Sequence, residues 1–350
     1  MKSQWNHEGH SEDGILSYEY VEAAKHQGDE IVPLVSQSVW HTFVRPGDTS
    51  EVMRHKSAND LISPKLALLP PSNAFADRPQ HSHDQSLTLG LVLSFLASFV
   101  KGFRHGVLPP FIHWTQELHS IRIESSSLSR CRTLVRRFFD TIPEHRRHVL
   151  TLIQQEAERI WFQHQDFDSW ELLSSTQAML LYALLRATEA DSSLSDFDLP
   201  FLICINHVSQ AMAKLAGTQE VMQQPGSDPS DFEAWVFYEA RKRTVVVFRL
   251  LNMVVDISDA VSCFPMRGFV IVPLPGGDGL WKARHSGEWS ATFARQGKPP
   301  SVFGMADDGG LVKLQKQGDG VVRSKVEWSK WLPDQGKLGF LIATAATLLT

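Results

Sequence analysis

From residue 86 to about residue 257 the apolar side chains recur at the spacing of an α-helix, segment after segment, and that period confines this stretch to packed helices. Leu87 to about Phe103 is apolar almost all round, which predicts a fully buried helix, with Asp84 available as its cap. Leu128, Cys131, Leu134, Val135, Phe138 and Phe139 share one face of a helix over Leu128–Phe139. Pro143 is a favourable first-turn residue for a helix running to about Gln163. Asp168 and Glu171 supply capping chemistry for Trp170 to about Thr188. Asp198 and Pro200 are expected to start the next helix, and Gly217 to end it. Ser230-Asp-Phe-Glu233 opens the strongest helix, through to about Ile257, and Leu338–Leu349 reads as a closing one.

Two regions break this rhythm. Residues 1–85 carry scattered histidines and frequent Pro, Gly, Asn and Asp, with no long apolar period, so a polar, partly disordered tail or linker is expected. Within it only the run from Glu30 to His41 is apolar enough to dock or to form a strand. Residues 264–330 are rich in Pro and Gly, with a short helix candidate at Gly279–Ala294, and no 20–50-residue repeat runs through the helical part. The fold class expected is all-α: an irregular multi-helix array over residues 86–350, with a loop-rich insertion near the C-terminus.

A length of 350 residues suffices for one large domain or about two of ~150 residues, with a core that needs no disulfide or metal. Hydrophobic residues at 43% and charged residues at 21% exclude a wholly disordered or disulfide-scaffold chain. The net charge of −5 gives no overall attraction to nucleic acid or anionic lipid. Three separated cysteines, Cys131, Cys204 and Cys263, fit buried thiols in a reducing compartment. The uncharged stretch from Gln85 to Val100 falls short of the roughly 20 residues that span a bilayer, so no membrane association is expected.

Catalytic patterns are not found. Gly276-Gly-Asp-Gly279 lacks the Gly-Lys-Ser/Thr ending of a phosphate loop and reads as a flexible turn. There is no nucleophile elbow and no zinc-protease helix motif. The pairs His7/His10 and His81/His83 lack partners at metal-finger spacing, and Asp166/Asp168, Asp307-Asp308 and Asn206-His-Val-Ser209 do not complete a cation site. No catalytic residue, cofactor or metal is therefore assigned, and an enzyme is not expected. The one basic concentration, Arg122 to Arg147, holds seven arginines against Glu124, Asp140 and Glu144, or +4. Charge pairing to acidic neighbours is its default reading, and phosphate contact the alternative. At Arg241-Lys-Arg243, mid-helix between apolar flanks, at least one cation is expected to be held by a carboxylate such as Glu239 or Asp256.

The order of several short motifs adds a resemblance. Phe99-Val-Lys-Gly-Phe-Arg104 precedes Leu108-Pro-Pro-Phe-Ile-His113; then come Ser174-Ser-Thr-Gln-Ala-Met-Leu-Leu-Tyr182 and Trp235-Val-Phe-Tyr-Glu-Ala-Arg-Lys-Arg-Thr244. Cys263-Phe264, Val272-Pro-Leu-Pro275, Leu280-Trp-Lys-Ala283, Glu288-Trp289, Trp331 and Gly339 follow. Together, over about residues 87–345, they resemble the regulatory region of fungal zinc-cluster-type transcription regulators. The motif positions that carry it are Pro109, Pro110, Phe111, His113, Gln177, Trp235, Glu239, Arg243, Pro273, Pro275, Trp281 and Trp289. The resemblance implies an all-α regulatory domain, nuclear residence, protein partners in the transcription machinery or a DNA-binding subunit, and room for a small-molecule effector. Residues 1–107 contain no cysteine, so this chain is not expected to fold a zinc module or read DNA directly unless an N-terminal piece is missing. The alternative is that the same helical fold has been recruited as a small-molecule binder or enzyme in a biosynthetic pathway.

Overall fold

The architecture is built around a helix with no outside. Every residue from Leu172 to Arg186 is buried, Ser174, Ser175, Thr176 and Gln177 included. The computed structural model describes residues 30–32, 75, 82–117, 126–189, 195–215, 232–255, 257, 267–296, 301–317 and 320–350. In chain order these form β1 (Glu30–Val32), α1 (His83–Arg104), α2 (Ser127–Asp140), a 3-10 turn at Pro143–His145, α3 (Arg146–Gln163), α4 (Ser169–Ala187), α5 (Ser195–Leu215) and α6 (Phe232–Val254). There follow β2 (Phe269–Ile271), α7 (Asp278–Trp281), α8 (Ser286–Gln296), β3 (Val302–Ala306), β4 (Leu311–Gln317), β5 (Gly320–Val326), α9 (Trp328–Trp331) and α10 (Gly336–Ala346). The buried helix is α4, and α1, α2, α3, α5 and α6 all pack on it. The fold is a mostly helical, irregular array.

Several polar groups on α4 find partners within the core, as burial requires, although the buried Tyr182 hydroxyl has none among the described residues. Thr176 donates to the Leu172 carbonyl at 2.8 Å, and the Ser175 and Ser127 hydroxyls are 2.9 Å apart. Arg186 holds Asp198 through two bonds of 2.7 and 2.9 Å. Cys131 and Cys204 are buried free thiols, with burial raising both and taking Cys204 to about 12. Cys263 lies outside the described residues.

Several boundaries differ from the sequence expectation. Ser82, not Asp84, caps α1, its hydroxyl accepting from the Gln85 amide at 3.1 Å. Pro200 does not start α5; it sits inside that helix, early enough that few hydrogen bonds are disturbed. The helix expected at Gly279–Ala294 is two, α7 and α8. Asp168 caps α4 as expected, accepting from Glu171 at 2.8 Å. Gly217 and most of residues 1–81 lie outside the described residues, and so do His7, His10, His81 and Arg122.

The prediction that α1 is fully buried is overturned. Leu87 is 61% and Leu91 46% exposed, because one face of the helix, with Leu89, Val92, Leu96, Val100 and Phe103, meets α2, α4, α6 and α10 while the opposite face is left uncovered. With 22 residues α1 is long and apolar enough, by length and composition alone, to cross a membrane.

The loop-rich stretch contains most of a five-stranded antiparallel sheet of order β1-β5-β4-β3-β2. Phe269, Val302, Val312, Leu314 and Val321 form its own small apolar cluster. Gly304 in β3 is needed there, since a Cβ would lie 2.6 Å from the Phe269 ring. Gly304→Ala is expected to cost about 1–3 kcal/mol by overpacking, read as a lower urea midpoint at unchanged helical circular dichroism.

Candidate functional site

Between α6 and the segments around residues 110 and 276 lies a fully buried charge tie. Glu239 and Arg243 are one turn apart on α6, so their side chains share a face, and they are 2% and 1% exposed. Arg243 Nε donates to Glu239 Oε1 at 2.8 Å, and the Gly276 amide donates to the same oxygen at 2.8 Å. Lys242 Nζ donates to Oε2 at 2.7 Å. The remaining Arg243 donors reach the carbonyls of Pro110 at 3.3 Å and Gly276 at 2.9 Å. The guanidinium carbon stands 4.3 Å from the centre of the Trp281 ring. Burial alone would raise the Glu239 carboxyl, but Lys242 and Arg243 and their hydrogen bonds hold it at about 2.

A second tie joins the residue-110 segment to α4. Gln177 Nε2 donates to the Phe111 carbonyl at 2.8 Å, and Gln116 Nε2 donates to Gln177 Oε1 at 3.1 Å. Gln116 Oε1 in turn accepts from the His113 amide at 3.0 Å. Paired prolines hold this segment out of a helix, which leaves its carbonyls free to accept from α4 and α6. Pro109 is buried, and its carbonyl accepts from Ile112 at 3.0 Å.

Aromatic rings fill the space between the ties. His113 meets Trp281 edge-on at 4.8 Å and Phe232 at 6.1 Å, and Trp289 packs on Phe232, Trp235 and Phe293. Trp114 donates its indole N–H to the Ala283 carbonyl at 3.2 Å. The Nδ1 atom of His113 is 2.8 Å from the Thr115 hydroxyl, while its Nε2 and the Trp289 indole nitrogen have no hydrogen-bond partner. Burial pulls the His113 imidazole down to about 4, and Arg243 adds to that pull, although backbone groups of Trp281 and Ala283 act the other way.

The structure thus brings Pro110, Phe111, His113, Gln177, Trp235, Glu239, Arg243, Trp281 and Trp289 into one connected region, with Pro109 behind it and Pro275 buried beside Gly276. Pro273 follows a cis peptide bond just after β2, further from the charge tie. Sequence reasoning missed Gln116, which no motif marks, and misread Gly276, taken as part of a flexible turn. Its backbone is instead clamped between Glu239 and Arg243, and a Cβ there would lie 3.3 Å from the Glu239 carboxylate. The expected cation at Arg241-Lys-Arg243 is in fact two, Lys242 and Arg243, both on Glu239.

The hydrogen bonds of Glu239, Arg243 and Gln177 tie α6, α4 and the segments around residues 110 and 276 to one another. No group of three or more His, Cys, Asp or Glu among the described residues has metal-binding geometry. No family model, curated protein or solved structure matches the chain.

Two outcomes are expected. Glu239→Ala leaves Arg243 buried without its counter-charge and should cost about 3–5 kcal/mol; Glu239→Leu with Arg243→Met should cost less, both read by chemical denaturation. His113 is depressed from 6.5 to about 4, so its contribution is complete above pH 6.5 and falls away as the pH drops towards 4, about 3 kcal/mol in all. Comparing stability against pH, His113→Phe should show a flatter loss than the parent across that window.

Proposed function

We propose that the chain is a transcriptional regulator, of the kind that serves a secondary-metabolite gene cluster, acting through protein contacts and without catalysis. One observation carries this reading. Motif segments spread from Pro109 to Trp289, which resemble the regulatory region of zinc-cluster-type regulators in their order, meet at one buried joint. The side chains there are spent on holding α4, α6 and the two proline segments together. A domain of this kind acts by presenting surfaces to partners, with DNA contact made by another subunit and nuclear residence following from the role.

A second reading, a small-molecule binder in the pathway, is favoured by a cleft of about 300 Å³ lined by Trp170, Leu215, Glu233, Phe237 and Tyr238. Trp170 and Phe237 meet edge-on at 5.1 Å on its wall. Gene deletion separates the two. Loss of transcripts from neighbouring biosynthetic genes is expected for the regulator. Intact transcripts with an accumulating intermediate would overturn it in favour of the binder.

A further inference from the structure

The end of the array where α1, α2 and α3 meet carries charge that the folded core does not use. Lys101 and Arg104 lie in the last turn of α1, Arg136 and Arg137 near the end of α2, and Arg146 and Arg147 open α3. They belong to one surface. Arg104 bonds Asp140 at 2.7 Å, and Arg136 Nε donates to the Arg104 carbonyl at 3.1 Å. Arg104 stands over the Phe139 ring and Arg146 over that of Phe138, and these two rings touch edge to face.

Pairing accounts for only part of this charge. Arg132 is paired with Glu117, Arg130 with Glu156, Arg146 with Glu189 and Arg104 with Asp140. Lys101, Arg136, Arg137 and Arg147 are exposed and form no ion pair with any described residue. Counting Lys101, Arg104, Arg136, Arg137, Arg146 and Arg147 against Asp140, Glu144 and Glu189 gives six minus three, or +3, on a chain of net charge −5. Exposed His105, His145 and His148 stand at the same end.

Helix stability explains some of these cations and not others. Cations in the last turns of α1 and α2 oppose the helix dipoles favourably. Arg147 sits in the first turn of α3, where a cation is unfavourable and no acidic residue offsets it. In the α2–α3 connection, Ile142 is 57% exposed.

An exposed apolar side chain in the connection between two helix ends that carry arginines without ion pairs among the described residues fits a particular kind of partner. A phosphate backbone would gain nothing from the exposed apolar side chain of Ile142. A peptide can place carboxylates against guanidinium groups, which bind them in paired hydrogen bonds, while an apolar side chain covers the isoleucine. The geometry points to this end as a docking surface for an acidic, amphipathic peptide segment of a protein partner, contacting Arg136, Arg137, Arg147 and Ile142. The assignment rests on the regulator reading only in taking the partner to be a protein.

The test is fluorescence anisotropy with the full chain and three labelled probes: a short peptide alternating Glu or Asp with Leu or Phe, an oligoglutamate of equal charge, and a short DNA duplex. The amphipathic peptide is expected to bind tightest, more weakly as salt rises. Charge reversal at exposed positions (R136E, R137E and R147E together) should weaken it by about tenfold or more. Ile142→Ser, a surface change that leaves the charges in place, should weaken that peptide several-fold and leave oligoglutamate unaffected. Undiminished binding by the charge-reversal variant, oligoglutamate binding as tightly as the amphipathic peptide, or tighter binding of the duplex would each overturn the proposal. Because the assay uses purified components, peptide binding alongside unchanged transcripts in the deletion strain would overturn the regulator reading and leave the surface standing.

Discussion

One carboxylate inside an apolar array sets the arrangement of everything around it. Glu239 can remain ionised at 2% exposure only because Lys242, Arg243 and the Gly276 amide all aim at it. An isolated buried carboxylate would instead take up a proton or draw in water. The cost of burying the ions means that the tie adds little net stability over well-packed apolar residues. What it adds is direction: Arg243 has fixed donors, and only one placement of the Pro110 and Gly276 carbonyls satisfies them.

The second constraint is the depth of α4. A helix buried along every face can satisfy its polar side chains only inside the protein, so those that are satisfied each select a neighbour. Gln177 selects the Phe111 carbonyl, Ser175 selects Ser127 at the start of α2, and Arg186 selects Asp198 on α5. Apolar burial supplies the stability of the array, and these few polar contacts set the register between helices that greasy surfaces alone would leave free to slide.

The helices were legible in the sequence because their signal is local. The apolar period of α2, the Asp168 cap and the Glu233 start of α6 each depend on residues within a turn or two. The sheet was not legible: β3, β4 and β5 lie among glycines, and their pairing is fixed by register between strands rather than by composition. The exposed face of α1 was also hidden, because an all-round apolar helix looks the same whether or not each of its faces has neighbours. At the candidate site the motif order singled out Glu239, Arg243 and Trp281, but nothing in their spacing showed that Gly276 and Gln116 complete the ties. Those two act through a backbone amide and a long-range amide pair, neither of which leaves a periodic trace.

The joint's chemistry also limits how it can take part in control. With Glu239 held at about 2 and His113 at about 4, no proton enters or leaves it near neutrality. Its donors and acceptors are occupied by other parts of the same chain, except for the two ring nitrogens of His113 and Trp289. A signal arriving at the surface can therefore reach it only by moving a packed segment. The stretch from Pro109 to Gln116 is bonded to both α4 and α6, so a shift of α6 against α4 must strain the Arg243–Pro110 bond, the Gln177–Phe111 bond or both.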